Sequence, residues 1–154
     1  MGSRSDSETV REAVDILKRF EIGHEIRVLS AHRSPWDVAA YVERLEERGV
    51  AVVIAAAGGA AALAGTAAAH TVLPVIGIPV ETRALKGLDS LLSTVQMPRG
   101  VPVGCMAIGK SGAQNAAVFA AQILALENKQ LRKKLRQFKQ DAARAIRKMK
   151  APRK

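Results

Sequence analysis

Val50-Ala51-Val52-Val53-Ile54-Ala55-Ala56 is an unbroken apolar run that ends just before two adjacent glycines, Gly58 and Gly59. A strand with one wet face alternates apolar and polar residues. A run with no polar position is the pattern of a strand buried on both faces, as in a parallel sheet covered by helices on both sides. Residues 75–80 and 103–108 repeat the pattern. Helix-like stretches separate the runs, at about residues 59–70, 90–96 and 112–126. Strands alternating with helices imply parallel pairing through right-handed crossovers, so the spacing predicts an α/β fold.

Outward toward the N-terminus, Val10, Ala13, Val14 and Leu17 share one helical face within residues 7–20. Ser5 or Asp6 is the expected N-cap, and Glu8 suits the positive helix end. Residues 24–29 read as a further strand and 37–48 as a helix closed by Gly49. Between them lies Ser30-Ala31-His32-Arg33-Ser34-Pro35. In open α/β sheets, ligands bind in the crevice outside the carboxyl ends of the strands. A histidine beside an arginine there sets a proton carrier next to a fixed anion clamp. Taken alone, the hexapeptide also fits a plain surface turn.

Residues 50–80 contain no Asp, Glu, Lys or Arg, which raises the question of a membrane span. The paired glycines, Pro74 and Pro79 interrupt the stretch, and alanine is a weak insertion signal, so buried strand, buried helix and buried strand fit better.

Composition narrows the class further. The chain has 154 residues, enough for one domain with a real core. Of these 48% are apolar, yet there are one Trp, one Tyr and three Phe, so the core must be aliphatic and alanine-rich. Cys105 is the single cysteine, which excludes an internal disulfide framework and makes a reducing, cytoplasmic compartment the expectation. No secretory signal pattern is visible at the start. The net charge of +10 is localised: residues 127–154 hold 12 Lys or Arg against 2 Asp or Glu, and residues 1–126 are balanced. A nucleic-acid footprint across the whole domain is therefore not supported. Two units are expected, a single α/β domain over 1–126 and a basic helix and tail over 127–154. In the tail, Leu131, Leu135, Phe138, Ala142, Ile146 and Met149 recur at intervals of three and four. That stripe is expected to pack on the body or on a neighbouring subunit. The basic faces are either solvated or make weak, salt-dependent contact with a polyanion.

Three glycine-containing stretches invite phosphate chemistry. Gly104 to Ser111 has the spacing of a nucleotide-binding loop, but Cys105 to Ile108 reads as the strand itself, so no amide-lined loop forms there. Gly58-Gly59 followed by alanines is either tight helix–sheet packing or a helix N-terminus facing an anion. Gly2-Ser3-Arg4-Ser5-Asp6 is either plain N-capping or a second phosphate cradle.

In their order along the chain, several stretches resemble the 5-(carboxyamino)imidazole ribonucleotide mutase family of purine biosynthesis, the bacterial-type AIR carboxylases. They are Gly2-Ser3-Arg4-Ser5-Asp6, the Ser30–Pro35 hexapeptide, Gly58-Gly59-Ala60-Ala61, Leu73-Pro74-Val75-Ile76-Gly77, Leu85-Lys86-Gly87-Leu88-Asp89-Ser90-Leu91, Gln96-Met97-Pro98-Arg99-Gly100-Val101-Pro102 and Ala107-Ile108-Gly109-Lys110. The resemblance spans roughly residues 1–126. It implies a flavodoxin-like parallel sheet, a homo-octamer with sites at subunit contacts, and no metal or cofactor. The implied reaction, in IMP biosynthesis, moves a carboxylate from the exocyclic nitrogen of an aminoimidazole ribonucleotide to a ring carbon, with CO2 released transiently and added back. His32 matches the proton-shuttling position. Ser3, Asp6 and Arg33 match positions that hold ribose and phosphate, and Ser30 with Gly58 and Gly59 match further walls of the site.

The chain departs from that pattern in three ways. The family has a hydrophobic strand ahead of its Met-Gly-Ser motif, so a first strand is expected upstream of Met1. Where the family's loop carries histidine and proline, this chain has Ala62 and Ala64, and Ala56 stands at a usual glycine. The tail is unusually basic. Two functions follow: an active mutase, or a weakened or inactive relative that binds ribonucleotide or polyanion.

Overall fold

The computed structural model of the chain describes residues 1–149, so Lys150, the expected end of the tail helix, lies outside the described residues. A single 3-10 turn, Arg4–Asp6, leads into α1 (Ser7–Arg19), followed by α2 (Pro35–Glu43), β1 (Val53–Gly58) and α3 (Leu63–Ala69). Next come β2 (Val75–Val80), α4 (Leu88–Val95), β3 (Gly104–Cys105), α5 (Gly109–Leu124) and α6 (Lys129–Lys148). The sheet is parallel with order β1-β2-β3. β1 and β2 pair along their whole length, from Val53 opposite Val75 to Gly58 opposite Val80. As the central strand, β2 is buried at all six positions, as its unbroken apolar run requires.

Alternate strand residues feed opposite layers. Ala56, Ile76 and Ile78 face α1 and α5, packing with Ala13, Leu17 and the buried alanines 113, 116, 117 and 120. Ala55 and Val75 face α2 and α3, with Val38, Val42, Leu63 and Ala67. Small residues let these layers approach closely. A Cβ on Gly112 would lie 1.6 Å from the Ala107 carbonyl, so the first turn of α5 accepts no side chain there. At Gly77 a Cβ would come within 2.4 Å of the Thr94 methyl, which seats α4 directly on β2. The expected aliphatic, alanine-rich core is present, and Trp36 lies outside it, 85% exposed.

The strand expected over 24–29 forms no regular pairing. Its contact is with the first residue of the chain: the Met1 amine donates to the Arg27 carbonyl (2.8 Å), and the Leu29 amide donates to the Met1 carbonyl (3.0 Å). On the other flank the Gly2 amide donates to Ala56 of β1 (3.0 Å). Met1 and Gly2 thus form one parallel rung between two edges. Beyond that rung, residues 24–29 and β1 are separated by a cavity of about 520 Å3 lined by Val14, Leu17, Val42, Leu45, Val52 and Ile54, among others.

Other boundaries moved for local reasons. The third expected strand contracts to Gly104–Cys105, because β3 meets β2 only opposite Ile76 and Gly77. α2 stops at Glu43, and residues 44–49 continue as tight turns that reach Gly49 at φ +74°. α3 begins at Leu63 because Gly59, at φ +69°, bends the chain first. At the start of α1, Ser3 caps the preceding 3-10 turn, while Asp6 occupies the cap position of α1 without a side-chain capping bond.

α6 is capped by Asn128, whose side chain accepts from the Leu131 amide (2.9 Å). Leu131 and Leu135 are buried against Phe20, Ala121 and Ala125. Phe138 meets Phe20 edge-to-face at 5.4 Å, with the Arg19 guanidinium over its ring at 4.8 Å. The stripe was expected to pack as far as Met149, but contact with the body ends near Asp141. Ile146 and Met149 are 65% and 69% exposed. No helix among the described residues is long and apolar enough to cross a membrane.

Candidate functional site at the carboxyl end of the sheet

Three loops converge where β1 ends. The first follows Met1. Asp6, buried, accepts from the Ser3 amide through Oδ2 (3.0 Å) and from the Ser5 hydroxyl through Oδ1 (3.2 Å). Ser3 Oγ accepts from the Ser5 amide (3.3 Å). A short polar side chain that satisfies successive amides fixes the turn and holds its own carboxylate in place.

The second loop is the Ser30–Pro35 hexapeptide. Ser34 closes it, its amide and hydroxyl both donating to the Ser30 carbonyl. Pro35 opens α2, where its missing N–H costs nothing. Ser30 Oγ accepts from both the amide and the Nε of Arg33 (3.2 and 3.3 Å), and Arg33 Nη2 donates to the Gly2 carbonyl (3.1 Å). The guanidinium therefore bridges the first two loops and keeps further N–H groups free for an anion. His32 sits at the tip of this turn with its imidazole exposed.

The third loop is Gly58-Gly59. The Gly59 amide donates to the Ser90 hydroxyl (2.9 Å), and that hydroxyl donates to the Val80 carbonyl at the end of β2 (2.7 Å). Ser93 donates to the Gly59 carbonyl (3.3 Å) and to Asp89 (2.8 Å). Thr82 bridges this side, donating to Asp89 (2.8 Å) and accepting from the Gly87 amide (3.2 Å). The anion-facing reading of Gly58-Gly59 fails for Gly59, whose N–H is already committed to α4. The helix that follows has seven residues and carries Ala62 at its cap position. Ala62 accepts from the Thr66 amide and hydroxyl, and Ala64 is buried.

The structure thus brings Ser3, Asp6, Ser30 and Arg33 into one hydrogen-bonded group and sets Gly58 and Gly59 on the neighbouring side of β1, with His32 at the rim. Sequence reasoning missed Ser90 and Ser93 as parts of the site's framework. No local signal marked Ser90: it is fully buried, a costly place for a hydroxyl without partners, and its partners lie far along the chain. The apparent nucleotide-binding loop is not one. Gly104 and Cys105 are β3, Gly109 starts α5, and Lys110 pairs with Glu8 of α1 at 2.5 Å. Cys105 is half-buried, and burial pushes its thiol pKa up, away from nucleophilic use. Among the described residues no group of three or more His, Cys, Asp or Glu is placed to hold a metal ion.

Comparison with known proteins identifies the family. The model of the AIR carboxylase family matches residues 1–145. N5-carboxyaminoimidazole ribonucleotide mutase of Saccharolobus solfataricus is 54% identical over 141 residues, covering 92% of this chain and 88% of that one. The mutases of the same name from Bacillus subtilis and Escherichia coli K12 are each 51% identical, over 146 and 139 residues, covering 95% and 90% of this chain and 90% and 82% of theirs. Among solved structures, that of Treponema denticola PurE superposes with a TM-score of 0.84 at 26% identity, covering 95% of this chain and 90% of that one. Matched by the family model over residues 1–145 and about half identical to these mutases, the chain belongs to the AIR carboxylase family.

Proposed function

We propose that His32, Ser3, Asp6, Ser30, Arg33, Gly58 and Gly59 form the site at which this chain moves a carboxylate from the exocyclic nitrogen of 5-(carboxyamino)imidazole ribonucleotide to a ring carbon. The observation that carries the proposal is the Arg33 bridge, which ties the Ser30 hydroxyl to the Gly2 carbonyl beside a buried Asp6 at the carboxyl end of a parallel sheet. Such a cluster suits a ribose phosphate: a guanidinium fork for the phosphate, carboxylate and hydroxyl acceptors and donors for the sugar.

The chemistry balances with one proton carrier. The nitrogen–carbon bond breaks, CO2 departs, and the nitrogen takes a proton from His32. The ring carbon then bonds to the CO2 and returns its proton to His32. A group titrating near neutrality can do both steps, and an imidazole is the side chain that does. Containing CO2 between the steps requires a small, dry pocket, which glycine and alanine walls supply.

The test is an absorbance assay for interconversion of the two carboxylated ribonucleotides. The parent is expected to be active and His32→Asn to lose at least about 100-fold. Ala62 and Ala64 set the level of parent activity. Losing one positioned polar group in a closed site costs about 100- to 1,000-fold, so Ala62→His with Ala64→Pro should raise the rate. Ala64 is the second residue of α3, where a proline removes no intrahelical bond. A parent that binds ribonucleotide but shows no turnover, with or without the loop changes, would make the chain a binding relative instead.

The finer reading extends to assembly. Residues 1–126 act as the catalytic unit in the cytoplasm, as a homo-octamer whose contacts complete the site. The exposed stripe of Leu85, Leu88, Leu92 and Val95 supports a subunit contact. Residues 127–154 are a basic unit that contacts a polyanion weakly. Sedimentation tests the octamer. Heparin retention unchanged after deleting residues 139–154 would end the polyanion reading.

A further inference from the structure

We infer that Ser90 is a positioning residue that fixes the Gly58-Gly59 turn, one wall of the space in which the proposed reaction would hold CO2. The inference rests on the reaction proposed above and adds a residue that never touches the substrate. Ser90 is fully buried in α4, and its one hydroxyl serves both strands that end at the site. It accepts from Gly59, immediately after β1, and donates to Val80, the last residue of β2. α4 is itself held rigidly. Gly77 admits it against the sheet, and Thr94 donates back to the Ser90 carbonyl (2.7 Å) inside the core. The turn therefore has its amide orientation set by an anchor that cannot move without opening the core.

The fixing matters because the only other side-chain bond to Gly59 among the described residues is a longer one from Ser93. Gly59 has no side chain, its φ is +69°, and a Cβ placed on it would meet nothing within 4 Å. A glycine in open space samples many backbone states. The Ser93 bond to its carbonyl is longer and shares its proton with Asp89, so the Ser90 bond is the stronger restraint. Because the peptide unit is planar and trans, directing the Gly59 N–H toward α4 turns the Gly58 carbonyl away from it. Freed from Ser90, the turn rotates and the wall leaks.

Leakage has a signature distinct from a merely weakened fold. CO2 that escapes during turnover is replaced from solution, so product formed in 13C-bicarbonate buffer acquires label. The parent is expected to transfer its own carboxylate with little label per product molecule. Ser90→Ala is expected to raise label per product several-fold while KM for the ribonucleotide stays within about twofold. Ser93→Ala should change label little. Ser90→Cys is somewhat larger and a weaker donor and acceptor, and it should fall between parent and Ser90→Ala; it also serves if the alanine variant does not fold. Label per product equal to the parent's in both Ser90 variants, whatever their rates, would overturn the inference. A parent with no interconversion at all would instead sink the reaction on which it rests.

Discussion

β1 is held in two different ways on its two flanks. Toward β2 it has a continuous parallel ladder of six residue pairs, buried from end to end. Toward residues 24–29 it has one bond, from Gly2 to Ala56, and beyond that an apolar cavity. The two flanks also hold the two halves of the site. On the ladder side, Gly58-Gly59 is locked by the buried Ser90; on the open side, Ser3, Asp6, Ser30 and Arg33 are organised by side-chain hydrogen bonds among themselves. Regular backbone pairing positions one half and a polar side-chain network positions the other. The two should therefore fail under different insults.

The largest contrast concerns folding. Ile78 is 1% exposed at the centre of the ladder, whereas Val28 on the open flank is 46% exposed. Ile78→Ala should cost about 2–5 kcal/mol in urea unfolding, and Val28→Ala should cost less than about 1 kcal/mol. Equal costs would show that the open flank is as well packed as the ladder, and the comparison would break.

The next effect is on binding. Among the described residues, Arg33 is the side chain whose hydrogen bonds tie the hexapeptide loop to the first loop. Arg33→Ala should raise KM for the ribonucleotide by roughly 10- to 150-fold, the range for a hydrogen bond to a charged group of about 1.5–3 kcal/mol. It should leave urea stability nearly unchanged, because no core contact is lost. A large stability loss with KM intact would make Arg33 a structural strut instead.

A smaller effect is acid sensitivity. The Tyr41 hydroxyl, which donates to Glu25 at 2.9 Å, is the main influence holding the Glu25 carboxyl below its ordinary pKa, with Arg48 and Arg27 adding to it. A carboxyl with a lowered folded pKa stabilises the folded chain above its unfolded value and loses that contribution as pH falls through the folded one. As pH falls through the lowered Glu25 pKa, residues 24–29 should loosen first. Amide exchange at Leu29 should accelerate between pH 7 and pH 3.5, after correction for intrinsic rates, by more than at Ile76 or Ile78. Uniform acceleration would count against a separate, weaker flank.

The smallest effect is expected from salt. Lys110–Glu8 joins α1 and α5 at the fully exposed surface, so Lys110→Met or high salt should leave the melting temperature nearly unchanged.

The same contrast explains what was legible in the sequence. Residues 75–80 coincide with β2 because burial on both faces leaves an apolar run with no ambiguity, and the α1 pattern succeeds because its apolar face is regular. Residues 24–29 carry a strand-like pattern but pair only through Met1, and pairing is a long-range event that no local pattern records. Residues 103–108 failed in a related way, since β3 is an edge strand with two paired positions. In the site, the hexapeptide and Gly2–Asp6 stood out because polar residues concentrate there. Ser90 escaped because its partners, Gly59 and Val80, lie 31 and 10 residues away. Nothing in the local sequence links them.

The outward reach of α6 sets how the protein behaves as a colloid. Six of the twelve Lys and Arg residues beyond position 126 follow Asp141, and none of the described residues beyond it is covered by the body. Among the described residues, positive charge is therefore carried on an exposed helix end that stands clear of a neutral body. A trypsin-like protease reaching Arg144 would remove at least half of the excess positive charge without touching the active site. The clipped protein would keep 19 Lys or Arg against 14 Asp or Glu, so it would stay basic with about half the net charge and come out of solution at lower salt while still turning over substrate.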